Sequence, residues 1–208
     1  MPRWEVVRVL QLPVGPMKNF AYLLADDAGE AALVDPAWDV PALLAAARRE
    51  GIRITHVLAT HGHPDHVNGV AEAQAATGTC VVAHASADHP FDVGVKDGDV
   101  VEVGALRIRV HHTPGHRFDS VCYQMEGYLV TGDTLFVGEC GRVDLPGSDP
   151  VAMHRSLVTV LRGLPDDLVV LPGHDYGPTP TSTLGREKRG NYTLQPRTLD
   201  EFLAFMAE

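Results

Sequence analysis

The feature that most constrains this chain is a histidine-rich loop directly after an apolar, strand-like segment. In the stretch ITHVLATHGHPDHVNG, the apolar run is followed at once by His61, His63, Asp65 and His66. The glycine and proline between them allow the tight backbone path that this spacing requires. Loops that a rigid strand holds in place often contain binding groups. Because the groups here are imidazoles and carboxylates, the loop is predicted to bind metal.

Three other apolar segments run into the same kind of residue. IRVHHTPG leads to His116, YLVTG leads to Asp133, and LVVLPG leads to His174. If these strands lie in related sheets with these ends on one edge, their loops converge there. The candidate metal ligands are then His61, His63, Asp65, His66, His116, Asp133 and His174.

This donor set limits the metal. Imidazole nitrogen and carboxylate oxygen suit zinc, iron or manganese, and no thiolate is needed. Seven ligands are too many for one tetrahedral ion, which predicts two divalent ions with a shared bridging group. Zinc is expected, with iron or manganese as alternatives. The remaining histidines are expected to be ordinary surface or core residues: His56, His84, His89, His111, His112 and His154.

Strand-like and helix-like segments alternate along the chain. Strands are predicted first at WEVVRVL, FAYLLA and AALVD, and a hairpin at Glu126-Gly127. Leu106, Ile108 and Val110 alternate with polar residues, which predicts a half-buried strand. Caps, apolar stripes and glycine stops predict helices over residues 39–51, 67–77 and 149–163. The pattern indicates an α/β protein or a mixed αβ sandwich. With 208 residues, 45% of them hydrophobic, and no linker, one domain over residues 1–208 is expected.

The composition excludes several classes of function. The formal net charge of −10 works against nucleic-acid binding. No apolar run approaches the roughly 20 residues that a membrane helix needs, and the start of the chain lacks the features of a signal peptide. Cys80, Cys122 and Cys140 fit neither a disulfide framework nor a zinc-binding pair. The first two are expected in the core, and Cys140 is not expected to be a nucleophile. A cytoplasmic location fits these observations.

At these residues the sequence resembles the metallo-β-lactamase superfamily. The resemblance runs from FAYLLADDAGEAALVDPAWD through THGHPDHVNG, TPGHRFDS and TGDTLF to PGHDYG, which is nearly the whole chain. It implies an α+β fold, an αββα sandwich with the metal site at one edge of two packed mixed sheets. It also implies that the first metal is held by His61, His63 and His116, the second by Asp65, His66 and His174, and that Asp133 bridges them.

Within that superfamily, two stretches resemble the branch that contains glyoxalase II and persulfide dioxygenase. TGDTLFVGECGRVDLPG is similar to both groups, and PGHDYGPTPTSTLGREKRGNYTL is similar to short glyoxalase II-like hydrolases. Both groups act on glutathione-linked substrates. The resemblance implies that Arg142 contacts a substrate carboxylate and that Tyr176 lines the site. A loop salt bridge and a packed aromatic ring are the ordinary alternatives for these two residues.

The sequence departs from the family in two places. After TPGH the family commonly has Thr, any residue, Gly and Ser, whereas this chain has residues 117–120 as RFDS. The pocket wall near His116 is therefore expected to differ. Only 34 residues, 175–208, follow His174, too few for the helical C-terminal domain with which larger glyoxalase II enzymes hold glutathione. The basic residues of this segment are expected either to replace that domain in part or to form a solvated surface: Arg186, Lys188, Arg189 and Arg197.

These observations predict a metal-dependent hydrolase of a thioester such as a hydroxyacylglutathione. A metal-bound hydroxide would attack the thioester, with Asp65 and Asp133 as the catalytic carboxylates. The partner would be a small-molecule thioester or persulfide, not a nucleic acid or a membrane, and the protein would be a monomer or a homodimer.

The main alternative is a mononuclear iron persulfide dioxygenase that acts on glutathione persulfide. In that enzyme a single Fe(II) would be held by His61, His116 and Asp133, two imidazoles and one carboxylate with open positions. A nuclease is disfavoured by the acidic charge. A β-lactamase is disfavoured because the enzymes with two zinc ions often have a cysteine at the position of Asp133.

Overall fold

Within residues 7–207, which the computed structural model describes, two six-stranded sheets form the framework. The first sheet contains, in spatial order, β1 (Arg8–Val14), β2 (Asn19–Ala25), β3 (Glu30–Val34), β4 (Arg53–Leu58), β5 (Cys80–His84) and β6 (Val93–Val95). The second sheet contains β7 (Val100–Val103), β8 (Leu106–His112), β9 (Val121–Met125), β10 (Tyr128–Gly132), β11 (Val169–Pro172) and β12 (Ser182–Thr183). Both sheets are mixed, since β3 to β6 are parallel in the first and β10 and β11 are parallel in the second.

Helices cover the outer faces of the sheets. They are α1 (Val40–Arg49), α2 (Pro64–Val67), α3 (Val70–Thr77), α4 (Pro150–His154), α5 (Leu184–Gly190) and α6 (Leu199–Met206). Asp39 and Asp149 cap α1 and α4 by accepting hydrogen bonds from amides of the first turn, as the sequence predicts. The predicted helix over residues 149–163 is not α-helical throughout. After α4 the chain continues as a π-helical turn (Arg155–Val160) and a 3-10 turn (Leu161–Gly163).

Strand alternation separates the apolar side chains into layers. In β2, Phe20, Tyr22 and Leu24 belong to the cluster between the two sheets, and the residues between them belong to the cluster under α1 and α3. In β10, Val130 lies between the sheets, whereas Leu129 lies in the cluster under α4 and α6. The resulting order of layers is helix, sheet, sheet, helix. This αββα sandwich, an α+β fold, confirms the predicted fold class.

The predicted helix over residues 67–77 is interrupted in the structure. Gly69 separates α2 from α3. A Cβ atom at Gly69 would lie 2.6 Å from the backbone oxygen of Pro36, so only glycine fits this close approach. The sequence pattern predicts that Val70, Ala71 and Ala75 face inward. In the structure Val70 and Ala73 are buried, whereas Ala71 and Ala75 are exposed. The break allows the short helix α2 to be placed independently of α3.

The other predictions for single elements hold where the structure describes them. In β8, Leu106, Ile108 and Val110 are buried between the sheets, and β9 and β10 form the hairpin at Glu126-Gly127. Residues 1–6 lie outside the described part; they include the start of the predicted first strand and of the segment judged not to be a signal peptide. Across residues 7–207, none of the helices has the length and apolar character required to span a membrane.

Strand ends from both sheets meet at one edge of the sandwich. β4 leads at its carboxyl end into the histidine-rich loop, β10 leads to Asp133, and β11 leads to His174. The parallel pairing of β10 and β11 places Gly132 beside Pro172. Asp133 and His174 therefore lie side by side just after their strands of the second sheet. They lie opposite the histidine-rich loop that follows β4 of the first sheet.

Candidate metal centre

The histidine-rich loop and His116 form a first cluster of nitrogen atoms. His61 Nε2 lies 3.1 Å from His63 Nδ1, and His116 Nε2 lies 2.9 Å from the same atom of His63. His61 and His116 are buried, and His63 is half-buried. Three imidazole nitrogens therefore converge from two loops that are 53 residues apart in sequence.

A second cluster lies beside the first. His66 Nε2 is 3.2 Å from His174 Nε2. Asp65 Oδ2 is 3.6 Å from His66 Nε2 and 3.5 Å from His174 Nε2. Because α2 begins at Pro64, Asp65 and His66 lie in its first turn and project toward this cluster. His61 and His63 thus lie in one cluster, and Asp65 and His66 lie in the other. Their role as metal ligands stays a prediction.

Asp133 lies between the two clusters. Its Oδ2 is 3.4 Å from His116 Nε2 and 3.3 Å from His174 Nε2, and its Oδ1 is 3.3 Å from His66 Nε2. Oδ1 is buried and has no hydrogen-bond partner. Gly173 makes this position possible, since a Cβ atom there would lie 2.3 Å from Asp133 Oδ1. One carboxylate therefore faces both groups of nitrogen atoms.

The spacing of these atoms fits a metal centre. Two ligands bound at about 2.0–2.1 Å to a tetrahedral ion are themselves about 3.3 Å apart. The converging atoms of the seven residues are separated by 2.9–3.6 Å. The set contains only nitrogen and oxygen donors, and the buried Oδ1 of Asp133 has no hydrogen-bond partner among the described residues, as expected of an atom that would bind a cation. The two clusters indicate a site for divalent metal ions.

Burial and mutual contacts shift the pKa values of the clustered groups in both directions. Burial and the neighbouring His66 imidazole hold the pKa of His61 well below its usual value, and burial with a neighbouring imidazole lowers the pKa of His63 to about 4. Burial also opposes the charged form of His66, but nearby carboxylates, first of all Asp133, raise its pKa well above the usual value. Burial would raise the pKa of Asp133, but the surrounding imidazoles, first of all His66, together outweigh burial and hold that pKa well below the usual range. Asp133 is therefore ionised, as a metal ligand must be.

Asp35 orients one histidine from each cluster. His66 Nδ1 donates to Asp35 Oδ2 at 2.9 Å. Thr60 donates to Asp35 from its amide at 2.7 Å and from its hydroxyl at 2.6 Å, and His61 Nδ1 lies 3.1 Å from that hydroxyl oxygen. These bonds favour a proton on Nδ1 of both rings and direct the Nε2 atoms into the clusters. Asp35 is buried and has a positive φ of 48°.

Backbone carbonyls orient two further histidines. His116 Nδ1 donates to the carbonyl of Arg142, and His174 Nδ1 donates to the carbonyl of Met17, each at 2.9 Å. The loops that follow β1 and β10 therefore determine the orientation of both rings. A bound ion would meet preoriented Nε2 atoms in each case.

The sequence analysis missed the residues that support the clusters. Asp35 follows AALVD, a strand that runs into an aspartate, which is the same signal that identified Asp133. Asn19 donates from Nδ2 to Asp65 Oδ2 at 2.9 Å and lies at the start of β2. No pattern in the sequence indicates its role, because the contact depends on tertiary packing alone.

A pocket of about 1130 Å³ opens over the clusters. Tyr176, predicted to line the site, does line it, and its ring stacks on His174 with the centroids 4.6 Å apart. Arg142 also lines the pocket, but its guanidinium group donates two hydrogen bonds to Asp144, at 2.6 and 2.7 Å. The salt bridge considered as the ordinary alternative is thus present. Contact of either residue with a substrate stays a prediction.

The family departure at residues 117–120 lies behind the histidine loop. Arg117 donates from Nε to Asp119 at 2.8 Å and also bonds to Asp88. Asp119 is buried, and its Oδ2 would lie 3.0 Å from a Cβ atom at Gly62. Among the described lining residues of the pocket, none comes from this segment. The segment therefore packs against the loop that contains His61 and His63 instead of forming the pocket wall.

The basic residues near the end of the chain form contacts outside the pocket. Lys188 Nζ pairs with Asp166 at 2.6 Å, and the guanidinium of Arg197 lies 4.6 Å from the centroid of the Phe205 ring. Arg186 and Arg189 are exposed. In the part of the chain that the structure describes, none of the four lines the pocket. Arg186 and Arg189 fit the solvated surface that was one of the two expectations, whereas only 13% of the Lys188 side chain is exposed.

The cysteines lie where the sequence analysis places them. Cys122 is fully buried, and Cys80 is partly buried against the inter-sheet core. Burial raises the pKa of Cys140 to about 12, so its thiol is protonated at neutral pH. The histidines expected to be ordinary lie outside both clusters: His56, His84, His89, His111, His112 and His154.

Known proteins resemble this chain in sequence and in structure. It is 44% identical over 160 residues to a hydroxyacylglutathione hydrolase from Anaeromyxobacter dehalogenans, a match that covers 76% of this chain and 62% of that protein. The chain thus spans about three fifths of the length of such curated relatives. ETHE1 from Myxococcus xanthus superposes with a TM-score of 0.92 and 33% identity, over 97% of this chain and 90% of that one. TTHA1623 in a di-iron-bound form superposes with a TM-score of 0.77 and 32% identity, over 88% and 98% of the two chains.

A family profile decides the relationship. The profile described as Metallo-beta-lactamase superfamily matches residues 14–174, which include all seven residues of the two clusters. The match covers more than half of the chain, and it agrees with the αββα sandwich and with the position of the clusters at its edge. The chain belongs to the metallo-beta-lactamase superfamily.

Proposed function

We propose that the protein hydrolyses a thioester of glutathione, such as a hydroxyacylglutathione, at a centre of two divalent metal ions. The observation that supports this most directly is the second cluster. Asp65, His66 and His174 bring their ligand atoms to within 3.6 Å of one another, and the two histidines are buried. A single-ion enzyme has no need of a second converging set. The named relatives that are 42–44% identical to this chain are hydroxyacylglutathione hydrolases.

In this proposal each cluster holds one ion and Asp133 touches both. Bound ions would lower the pKa of a shared water and polarise the thioester carbonyl. Asp133 would keep the two ions at a fixed separation, and Asp65 would complete the second set of ligands. A thioester suits such a centre, because its thiolate leaves without prior protonation. The chain then needs no nucleophilic side chain, and the protonated thiol of Cys140 is consistent with that.

We propose zinc as the resident metal, with iron or manganese as alternatives, because nitrogen and oxygen donors suit all three. The di-iron form of TTHA1623 supports two ions and includes iron among the candidates. The substrate would enter the pocket over the clusters, with Tyr176 as one wall and Arg142 at the rim. The proposed partner is a small molecule, and the predicted cytoplasmic location and the monomer or homodimer state are part of the same proposal.

A second candidate function is a one-iron persulfide dioxygenase. The similarity to ETHE1, which extends over 90% of that chain, fits this alternative. In such an enzyme His61, His116 and Asp133 would hold the iron, and Asp65, His66 and His174 would only support them. The two functions therefore differ in what they require of the second cluster.

The test is His66→Ala, with His111→Ala as the control. His111 is a half-buried histidine on β8 that bonds to Gln124, away from the clusters. Metal content per chain, thioester hydrolysis and oxygen uptake with glutathione persulfide are measured for both variants and the parent. A two-ion hydrolase predicts that His66→Ala halves the metal content and abolishes hydrolysis, while the control keeps both. A parent with one iron and persulfide-dependent oxygen uptake, whose iron survives His66→Ala, would establish the dioxygenase instead.

A further inference from the structure

The outer part of the pocket contains a carboxylate that the metal clusters do not use. Apart from the clusters, the charged side chains that line the pocket, among the described residues, are Glu139, Arg142 and Asp144. Arg142 and Asp144 pair with each other. Glu139 has no cationic side chain within 4.0 Å in the part of the chain that the structure describes. This wall of the pocket therefore presents one carboxylate without a counter-charge.

The position of Glu139 is fixed by its neighbours. Its carbonyl oxygen accepts hydrogen bonds from the amide of Phe136 at 2.8 Å and from Asn191 Nδ2 at 3.1 Å. Asn191 is buried and also donates to Glu187, which in turn accepts from the amide of Gly138. The backbone under Glu139 is thus held on both sides. These bonds hold the backbone from which the exposed Glu139 side chain projects.

Aromatic rings flank this carboxylate. The hydroxyl of Tyr192 donates to Glu139 Oε1, which leaves Oε2 available to a ligand. The ring of Tyr192 meets the ring of Phe205 edge to face, with the centroids 5.3 Å apart, and both rings line the pocket. A carboxylate beside aromatic rings is suited to an ammonium group, which gains a charge-assisted hydrogen bond and an attraction to the rings.

We infer that Glu139 binds a primary ammonium group of the substrate. The inference rests on the proposed function, because the γ-glutamyl end of a glutathione thioester has an ammonium group beside a carboxylate. Glu139 takes the ammonium, and Arg142 takes the carboxylate. Arg142 is free to do so, since its pairing with Asp144 is exposed and exposed ion pairs contribute little. The pocket then selects thiol carriers with a free amine over carriers without one.

The test uses glutathione and glutathione acetylated on its γ-glutamyl amine, because acetylation removes the ammonium charge and leaves both carboxylates in place. Binding of each is measured by calorimetry on the metal-loaded protein, and hydrolysis of the corresponding lactoyl thioesters is measured in parallel. The parent should bind glutathione about tenfold more tightly than the acetylated form, the effect of one charge-assisted hydrogen bond. Glu139→Gln should remove this preference and raise KM for the lactoyl thioester without lowering kcat. Glu126→Gln, which changes the net charge equally on an exposed turn, should keep the preference.

The outcomes separate the inference from the proposed function. Equal binding of both forms by the parent, binding of neither, or a preference that survives Glu139→Gln would overturn the role of Glu139. Another outcome is that the parent prefers glutathione over the acetylated form and loses this preference in Glu139→Gln, yet hydrolyses neither thioester. That result would support the ammonium site and refute the hydrolase. Equal hydrolysis of both thioesters would refute the ammonium site and leave the hydrolase standing.

Discussion

Replacement of Asp35 by asparagine should weaken metal binding without altering any proposed metal ligand. Asp35 Oδ2 accepts the Nδ1 proton of His66 and the hydroxyl proton of Thr60. The amide nitrogen of an asparagine at this place would donate where the carboxylate accepts. His66 would then favour the tautomer with its proton on Nε2, the atom directed at the second cluster. A protonated Nε2 cannot bind a metal ion.

The size of the effect follows from the contacts. Loss of a group that orients a metal ligand typically costs 10–100-fold in metal affinity, about 1.4–2.7 kcal/mol. His66 bonds to Asp35 directly, whereas His61 is linked to it only through Thr60. The second ion should therefore lose more affinity than the first. Backbone strain does not confuse the comparison, because asparagine tolerates a φ of 48° about as well as aspartate does.

The assay is a competitive chelator titration of Asp35→Asn and the parent, with hydrolysis measured on the same samples. Asp26→Asn is the matched control. Asp26 is equally buried and accepts hydrogen bonds from the amides of Glu30 and Ala105, at 2.8 and 2.9 Å, but lies away from the clusters. It should lose stability and keep its metal affinity. If Asp35→Asn binds both ions as tightly as the parent does, the argument from tautomers is wrong.

Three further variants test the centre itself. Asp133→Ala should lose at least one ion per chain and nearly all hydrolysis while circular dichroism shows the fold retained; full metal content would contradict the bridge. Gly173→Ala should also lower the metal content, because its Cβ would lie 2.3 Å from Asp133 Oδ1. A normal metal content would show that the backbone at residue 173 shifts at little cost in free energy. Cys140→Ser should keep kcat/KM within a few-fold, since a pKa of about 12 leaves the native thiol unreactive, and a loss above 100-fold would require a catalytic thiol.

The placement of the site was largely predictable from the sequence. Each of the four segments that were expected to end in a ligand does end at the same edge of the sandwich, and the seven candidate residues lie together. The reason is that an apolar run followed by a histidine or an aspartate indicates two things. It shows where a buried strand stops, and it shows that a polar group is held just beyond the core.

What the sequence could not give depends on contacts between distant segments. The break at Gly69 results from close packing against Pro36, and no helical stripe reveals it. Nor does any pattern show that Tyr192 and Phe205 line the pocket, since their position depends on how the end of the chain packs against the loop that contains Glu139. Asn19 and Thr60 acquire their roles only once β2, β3 and β4 are assembled in the first sheet.

The register of two parallel strand pairs brings the aspartates and the histidines of the two clusters together. In the first sheet, parallel pairing places Val34 opposite Leu58, so Asp35 emerges within hydrogen-bond distance of Thr60. In the second sheet, the pairing of β10 with β11 brings Asp133 beside His174 in the same way. Each parallel pair thus delivers an aspartate and a histidine-bearing loop to the same edge. Because a shift of one residue turns every side chain to the opposite face, either slip would separate the aspartate from its partner. In β2, β4 and β10, successive apolar side chains alternate between the two faces of the sheet. This alternation fixes the strand register, and therefore the geometry of the metal site as well as the core.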